Sequence, residues 1–185
     1  RIIKEYNVKF HSFKFDFENL ENLEESYKKI IKKIGKIDIL INNAGYGIKT
    51  SFHETPMEDE EKFIRVLGTS VIALTKIFLP DMIARKNGKI MIVSSVAAFS
   101  PPSSIQALYG PIKTFMNRFS DSININYSQD GITSTALCPG FTVTEFQRKQ
   151  RYSDTILHVP GPTYICRCNS YHSTQYTPSD HLFTP

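Results

Sequence analysis

The sequence predicts an α/β fold built on a parallel sheet, and three observations carry that prediction. IDILI at 37–41 and KIMIV at 89–93 are short, almost wholly apolar runs, the pattern of strands covered on both faces. Longer segments with apolar residues at helical spacing lie before and between them, at 18–33 and from 57 onward. The order strand, helix, strand, long helix, strand, helix, strand is that of a parallel sheet with right-handed crossovers. We place this domain at residues 1–150 and expect 151–185, rich in Tyr, Ser, Thr and Pro without a period, to be irregular or disordered.

Residues 8–17, VKFHSFKFDF, alternate roughly and are rich in aromatic residues, which predicts a first strand closed by Asp16. Leu20, Leu23, Tyr27, Ile30, Ile31 and Ile34 then recur at helical spacing, and Gly35 stops the helix. After the 37–41 strand comes the polar, glycine-bearing turn NNAGYG. Thr55-Pro56 predicts a helix start, with threonine as cap, proline at the first helical position and acids in the first turn. That helix runs through Leu79, with a kink expected at Pro80 and an end near Asn87-Gly88. Its middle, VLGTSVIALTKIFL, is apolar nearly all round and belongs in a core. A helix from about Ala107 to Ser128, a turn at Asp130-Gly131 and a strand ITSTALC complete the alternation.

With 185 residues, 41% of them hydrophobic, the chain is long enough for one ordinary core. The net charge of +4 comes from scattered lysines, which read as solvated helix faces and not as a nucleic-acid stripe. Cys138, Cys166 and Cys168 make neither a disulfide framework nor a metal site, so a reducing, cytoplasmic setting is expected. No apolar run is expected to cross a bilayer. The chain opens on Arg in mid-element, and we expect a fragment.

The chemistry concentrates in SSVAAFSPPSSIQALYGPIK at 94–113. Tyr109 and Lys113 are four residues apart, so on a helix they share one face, one turn apart. Ser95 follows a buried strand, at the carboxyl end where open α/β sheets bind ligands. A phenol titrates near pH ~10, too high for acid–base work at neutral pH. A neighbouring ammonium favours the phenolate and brings it down. A serine hydroxyl holds the carbonyl oxygen, and hydride must come from a cofactor. A solvated surface pair is the bland alternative for a lone Y-x-x-x-K.

With NNAG, the Ser–Tyr–Lys set and ALCPGFTVTEF in order, residues 5–146 resemble the classical short-chain dehydrogenase/reductase family. The resemblance implies a partial Rossmann-like doubly wound parallel sheet, with strands corresponding to 3, 4, 5 and 6 of the full fold. It implies an NAD(P)-dependent oxidoreductase interconverting a ketone and a secondary alcohol, with NADP slightly preferred. Tyr109 would be the general acid/base, Lys113 would lower its pKa and hold the nicotinamide ribose, and Ser95 would orient the carbonyl. Asp16 matches the acid that contacts adenine, and Asn43, Ala44 and Gly45 match the turn touching the adenosine ribose. Pro139, Gly140, Thr142 and Thr144 match the loop that holds the carboxamide. The resemblance also implies a small-molecule carbonyl or alcohol substrate and a homo-oligomer built on the helices at 57–85 and 109–128.

The sequence departs from the family pattern in four places. The glycine-rich turn for the pyrophosphate is absent from these residues, with the two strands that flank it. Their absence is expected to leave IDILI as an open apolar edge and the chain alone unstable. Leu67 stands where the family usually has an asparagine that completes a catalytic tetrad through water. The Ser95–Tyr109 spacing is one residue longer than usual, and the family's second half is not recognisable after Gln150. A non-catalytic remnant of the family is the alternative these departures support.

Overall fold

A computed structural model describes residues 8–101, 106–140 and the strand 164–166. Three strands run parallel in the order β1 (Ile39–Asn42), β2 (Gly88–Val93) and β3 (Ile132–Cys138). The registers place Leu40 beside Ile90 and Ile90 beside Ser134. A short β4 (Tyr164–Cys166) pairs antiparallel with β3, so part of the segment expected to be irregular is a strand.

The connections are helical. α1 (Leu23–Ile34) ends at Gly35, whose φ of 83° a side chain would resist. The long helix is three pieces in one rod: α2 (Met57–Ile64), a π turn at Arg65–Thr69, and α3 (Ser70–Ala84). α4 (Tyr109–Tyr127) follows β2 after a 3₁₀ turn at Val96–Ala98. Pro80 sits inside α3 without ending it. Thr55 does not cap α2, because its hydroxyl is spent on the Ser51 carbonyl and on Thr50.

The core lies between the helices and one face of the sheet. Ile90 and Ile92 of β2 and Ile132 of β3 cluster with Phe63, Leu67, Phe78, Met82 and Met116 from the helices. α1 docks on α3 through an edge-to-face contact of Tyr27 with Phe78, centroids 5.1 Å apart. α4 is locked to β3 by polar pairs. Asn124 donates to the Ser134 carbonyl and accepts from its N–H, at 2.6 and 2.7 Å, and the Ser120 and Ser134 hydroxyls bond at 2.7 Å. Arg85, past the end of α3, ties Asp81, Asp38 and the Ile37 carbonyl together, fixing where β1 starts.

Two expectations fail at the first edge. Residues 8–17 form no strand, since a strand exists only as a partner in a ladder and none lies beside them among the described residues. Nor is IDILI covered on both faces: Ile39 and Ile41 are more than half exposed, at 55% and 56%. The long helix takes the buried place its composition predicts. Met57–Ala84 has a mean hydropathy of 1.6 over its most apolar stretch and is long enough to cross a membrane by composition, yet half of that stretch is buried in this fold.

Candidate active site

Parallel strands end together, so Asn43, Ala44 and Gly45 after β1, Ser95 after β2, and Pro139-Gly140 after β3 share one edge of the sheet. The edge is knitted by backbone bonds. Ser94 N–H donates to the Leu137 carbonyl, and Val96 N–H donates to the Pro139 carbonyl. Ser95 begins the 3₁₀ turn and its Oγ accepts the Ala97 N–H at 3.1 Å.

α4 starts against that turn. A Cβ on Gly110 would lie 3.3 Å from the Ala97 carbonyl oxygen, and the Thr114 hydroxyl donates to the Ala98 carbonyl at 3.0 Å. This close seating packs the first turn of α4, which carries Tyr109 and Lys113 as its first and fifth residues, on the turn that Ser95 begins. Ser94 Oγ also donates to the Lys113 carbonyl.

Lys113 is the electrostatic centre. It is 5% exposed, its Nζ donates to the Val93 carbonyl at 2.8 Å, and it lies 5.5 Å from the Tyr109 ring centroid. Burial disfavours the charged form and lowers its pKa from 10.5 to about 8, against a small opposing pull from Cys138. The Tyr109 ring, half-buried, faces Phe63 at 6.5 Å between centroids, and Phe63 meets Tyr46 edge-on at 5.5 Å. Burial and the nearby acids Glu18, Asp59 and Glu60 raise the Tyr46 pKa. Tyr109 opens on a shallow cleft walled by Ile48, Phe52, Glu60, Phe63 and Leu108.

The remaining sequence-based candidates divide. Asn43, Ala44 and Gly45 are exposed at the carboxyl end of β1 and do not line the cleft, with Leu67 packed 3.6 Å from where a Gly45 Cβ would be. Asp16 sits in an exposed turn before α1, its carboxylate accepting the Glu18 N–H, and no described contact joins it to the cleft. Thr142 and Thr144 lie outside the described residues. Leu67 is fully buried in the π turn. Sequence reasoning missed Glu60, because an acid in a helix's first turn reads as a solvated partner of the helix dipole.

Residues 1–154 match the family described as short chain dehydrogenase. The chain belongs to that family. Its relatives include oxidoreductase UcpA of Escherichia coli K12, 33% identical over 129 residues, 70% of this chain and 49% of the relative. The 7alpha-hydroxysteroid dehydrogenase of Paraclostridium sordellii is 36% identical over 134 residues, 71% of this chain and 50% of that enzyme. The chain spans about half the length of the curated relatives it matches. Among solved structures, a short-chain dehydrogenase from Sphingobium yanoikuyae in complex with NADPH superposes with a TM-score of 0.76 at 25% identity. That match covers 85% of this chain and 61% of the other. The partial Rossmann-like sheet with flanking helices expected from the sequence is the fold these short-chain dehydrogenases share.

Proposed function

We propose that the protein is an NAD(P)(H)-dependent oxidoreductase interconverting a ketone and a secondary alcohol, with Tyr109 as general acid/base. One observation carries the reading: a buried lysine ammonium lies against the ring of a tyrosine that opens on a cleft at the carboxyl edge of a parallel sheet. A cation there stabilises the phenolate left when Tyr109 gives its proton to the substrate oxygen. The Val93 carbonyl holds Lys113 from below, so its anchoring does not depend on residue 67. An ammonium has three N–H donors, and with the Val93 carbonyl and the Met116 sulfur accepting two, one is left for a ribose hydroxyl. Ser95 Oγ already accepts from Ala97, so its own proton is available to the substrate oxygen.

The cofactor supplies the hydride when bound. Asn43, Ala44 and Gly45 are assigned to its adenosine ribose and Asp16 to the adenine, while Pro139 and Gly140, with Thr142 and Thr144 following in the chain, are assigned to the nicotinamide carboxamide. The NADPH bound by the Sphingobium relative supports a preference for NADP(H). Phe115 and Phe119 stack at 6.0 Å on α4, with Phe115 42% exposed, a face suited to a second copy. The cytoplasm is the proposed location. Leu67, buried where an asparagine is usual in the family, favours the rival reading of a non-catalytic family member.

Tyr109→Phe separates the two. It removes only the transferable proton, and in protein made from the full reading frame we expect kcat for ketone reduction to fall by about 10²–10⁴-fold with the fold intact. Reduction continuing undiminished overturns the assignment, and wild type without any turnover leaves the rival standing.

A further inference from the structure

Among the described residues two side chains keep a buried polar atom without a hydrogen-bond partner, Asn42 through Oδ1 and Glu60 through Oε2, and of the two Glu60 is the carboxylate. It is 5% exposed. Its neighbours in the first turn, Glu58 and Asp59, are exposed and paired with Lys62 at 2.8 and 3.8 Å. A buried carboxylate oxygen left unpaired is costly, and in a native fold such a group calls for an explanation.

Its position supplies one. Glu60 lines the same cleft as Tyr109, and Ile48, Phe52, Phe63 and Leu108 make most of the remaining wall apolar. A pocket of that kind orients its ligand through the few polar groups it has. An ionised carboxylate only accepts, so its complement is a donor, either a hydroxyl or an ammonium. The same oxygen repels a substrate that brings a carboxylate or phosphate to that wall.

We propose that Glu60 is the specificity residue of the Tyr109 cleft, selecting carbonyl or alcohol substrates that carry a second hydrogen-bond donor on an otherwise apolar body. The inference rests on Tyr109 marking the reacting end of the cleft.

Three acetophenones test it: 4-ethyl, 4-hydroxymethyl and 4-aminomethyl. Dissociation constants are measured calorimetrically on protein from the full reading frame, alongside kcat/KM. Wild type should bind at least one donor-bearing ketone about 10-fold or more tightly than the ethyl compound. Glu60→Leu should erase that preference, and its thermal midpoint should rise because an unpaired buried carboxylate is gone. Glu60→Gln keeps an acceptor without charge. It should therefore retain part of a hydroxymethyl preference and lose an aminomethyl one, which tells the two donors apart. Equal binding of all three ketones by wild type, or a preference that survives in Glu60→Leu, overturns the proposal. Tyr109→Phe keeps the two readings separate, since it should lower kcat by about 10²–10⁴-fold while leaving the binding preference in place. Turnover undiminished by Tyr109→Phe beside a Glu60-dependent preference removes the catalytic assignment alone.

Discussion

On β2, Gly88, Ile90 and Ile92 are buried beneath the helices, flanked by parallel partners on both sides. One strand away, Ile39 and Ile41 of β1 are more than half exposed, and residues 8–17 lie irregular before α1. The two strand segments, IDILI and KIMIV, each have four apolar residues of five. The difference is neighbours: β2 has a strand on each side and helices above it, whereas β1 has one strand partner among the described residues. Apolar content therefore states what a segment needs, and packing decides whether it is met.

The comparison breaks most sharply at Leu67. Leu67→Asn removes a buried side chain and leaves an amide with no partner, so we expect a loss of about 3–4 kcal/mol by urea unfolding. Next is the charge under the sheet's edge. The Lys113 pKa in the folded state, about 8, lies below the ordinary 10.5, so the cost of burying the ammonium is felt in full below about pH 8. It fades as pH rises toward 10.5, where the unfolded chain loses its proton too. Wild-type stability should therefore climb by up to about 3 kcal/mol across that window. Lys113→Met should flatten the climb, as read from urea midpoints at a series of pH values.

Asn124→Ala should cost about 2 kcal/mol, since it strips both bonds from the Ser134 backbone in β3. At the open edge the effect should nearly vanish. Ile41→Lys should change stability by no more than about 0.5 kcal/mol. It should nonetheless reduce self-association in light scattering, because a charged edge resists strand pairing. A large stability loss there would mean that the edge is covered in solution.

Where each element's own residues carry its reason, the sequence was readable. α1 is written in its apolar spacing and in Gly35. α4 is written in the Tyr109–Lys113 repeat, β2 in the apolar run IMIV, and β3 in β-branched residues closed by Pro139-Gly140. What escaped depends on something elsewhere. Residues 8–17 needed a partner strand, and Thr55 lost its capping role to bonds with Ser51 and Thr50. The π turn at Arg65–Thr69 has no local signature, and the burial of Glu60 follows from the walls around it. At the candidate site, residue type and spacing pointed to Ser95, Tyr109 and Lys113, and the carbonyl of Val93 beneath the ammonium was visible only in three dimensions.

The π turn amounts to one residue spliced into an otherwise continuous rod. Excising a single residue there would let the hydrogen-bond ladder revert to ordinary pitch, turning everything upstream by about 100° around the axis relative to α3. Glu60 and Phe63 would then swing away from Tyr109. The phase of that helix is therefore a dial set in the middle of the core, and shortening it by one position should re-aim a wall of the cleft without altering any residue that lines it.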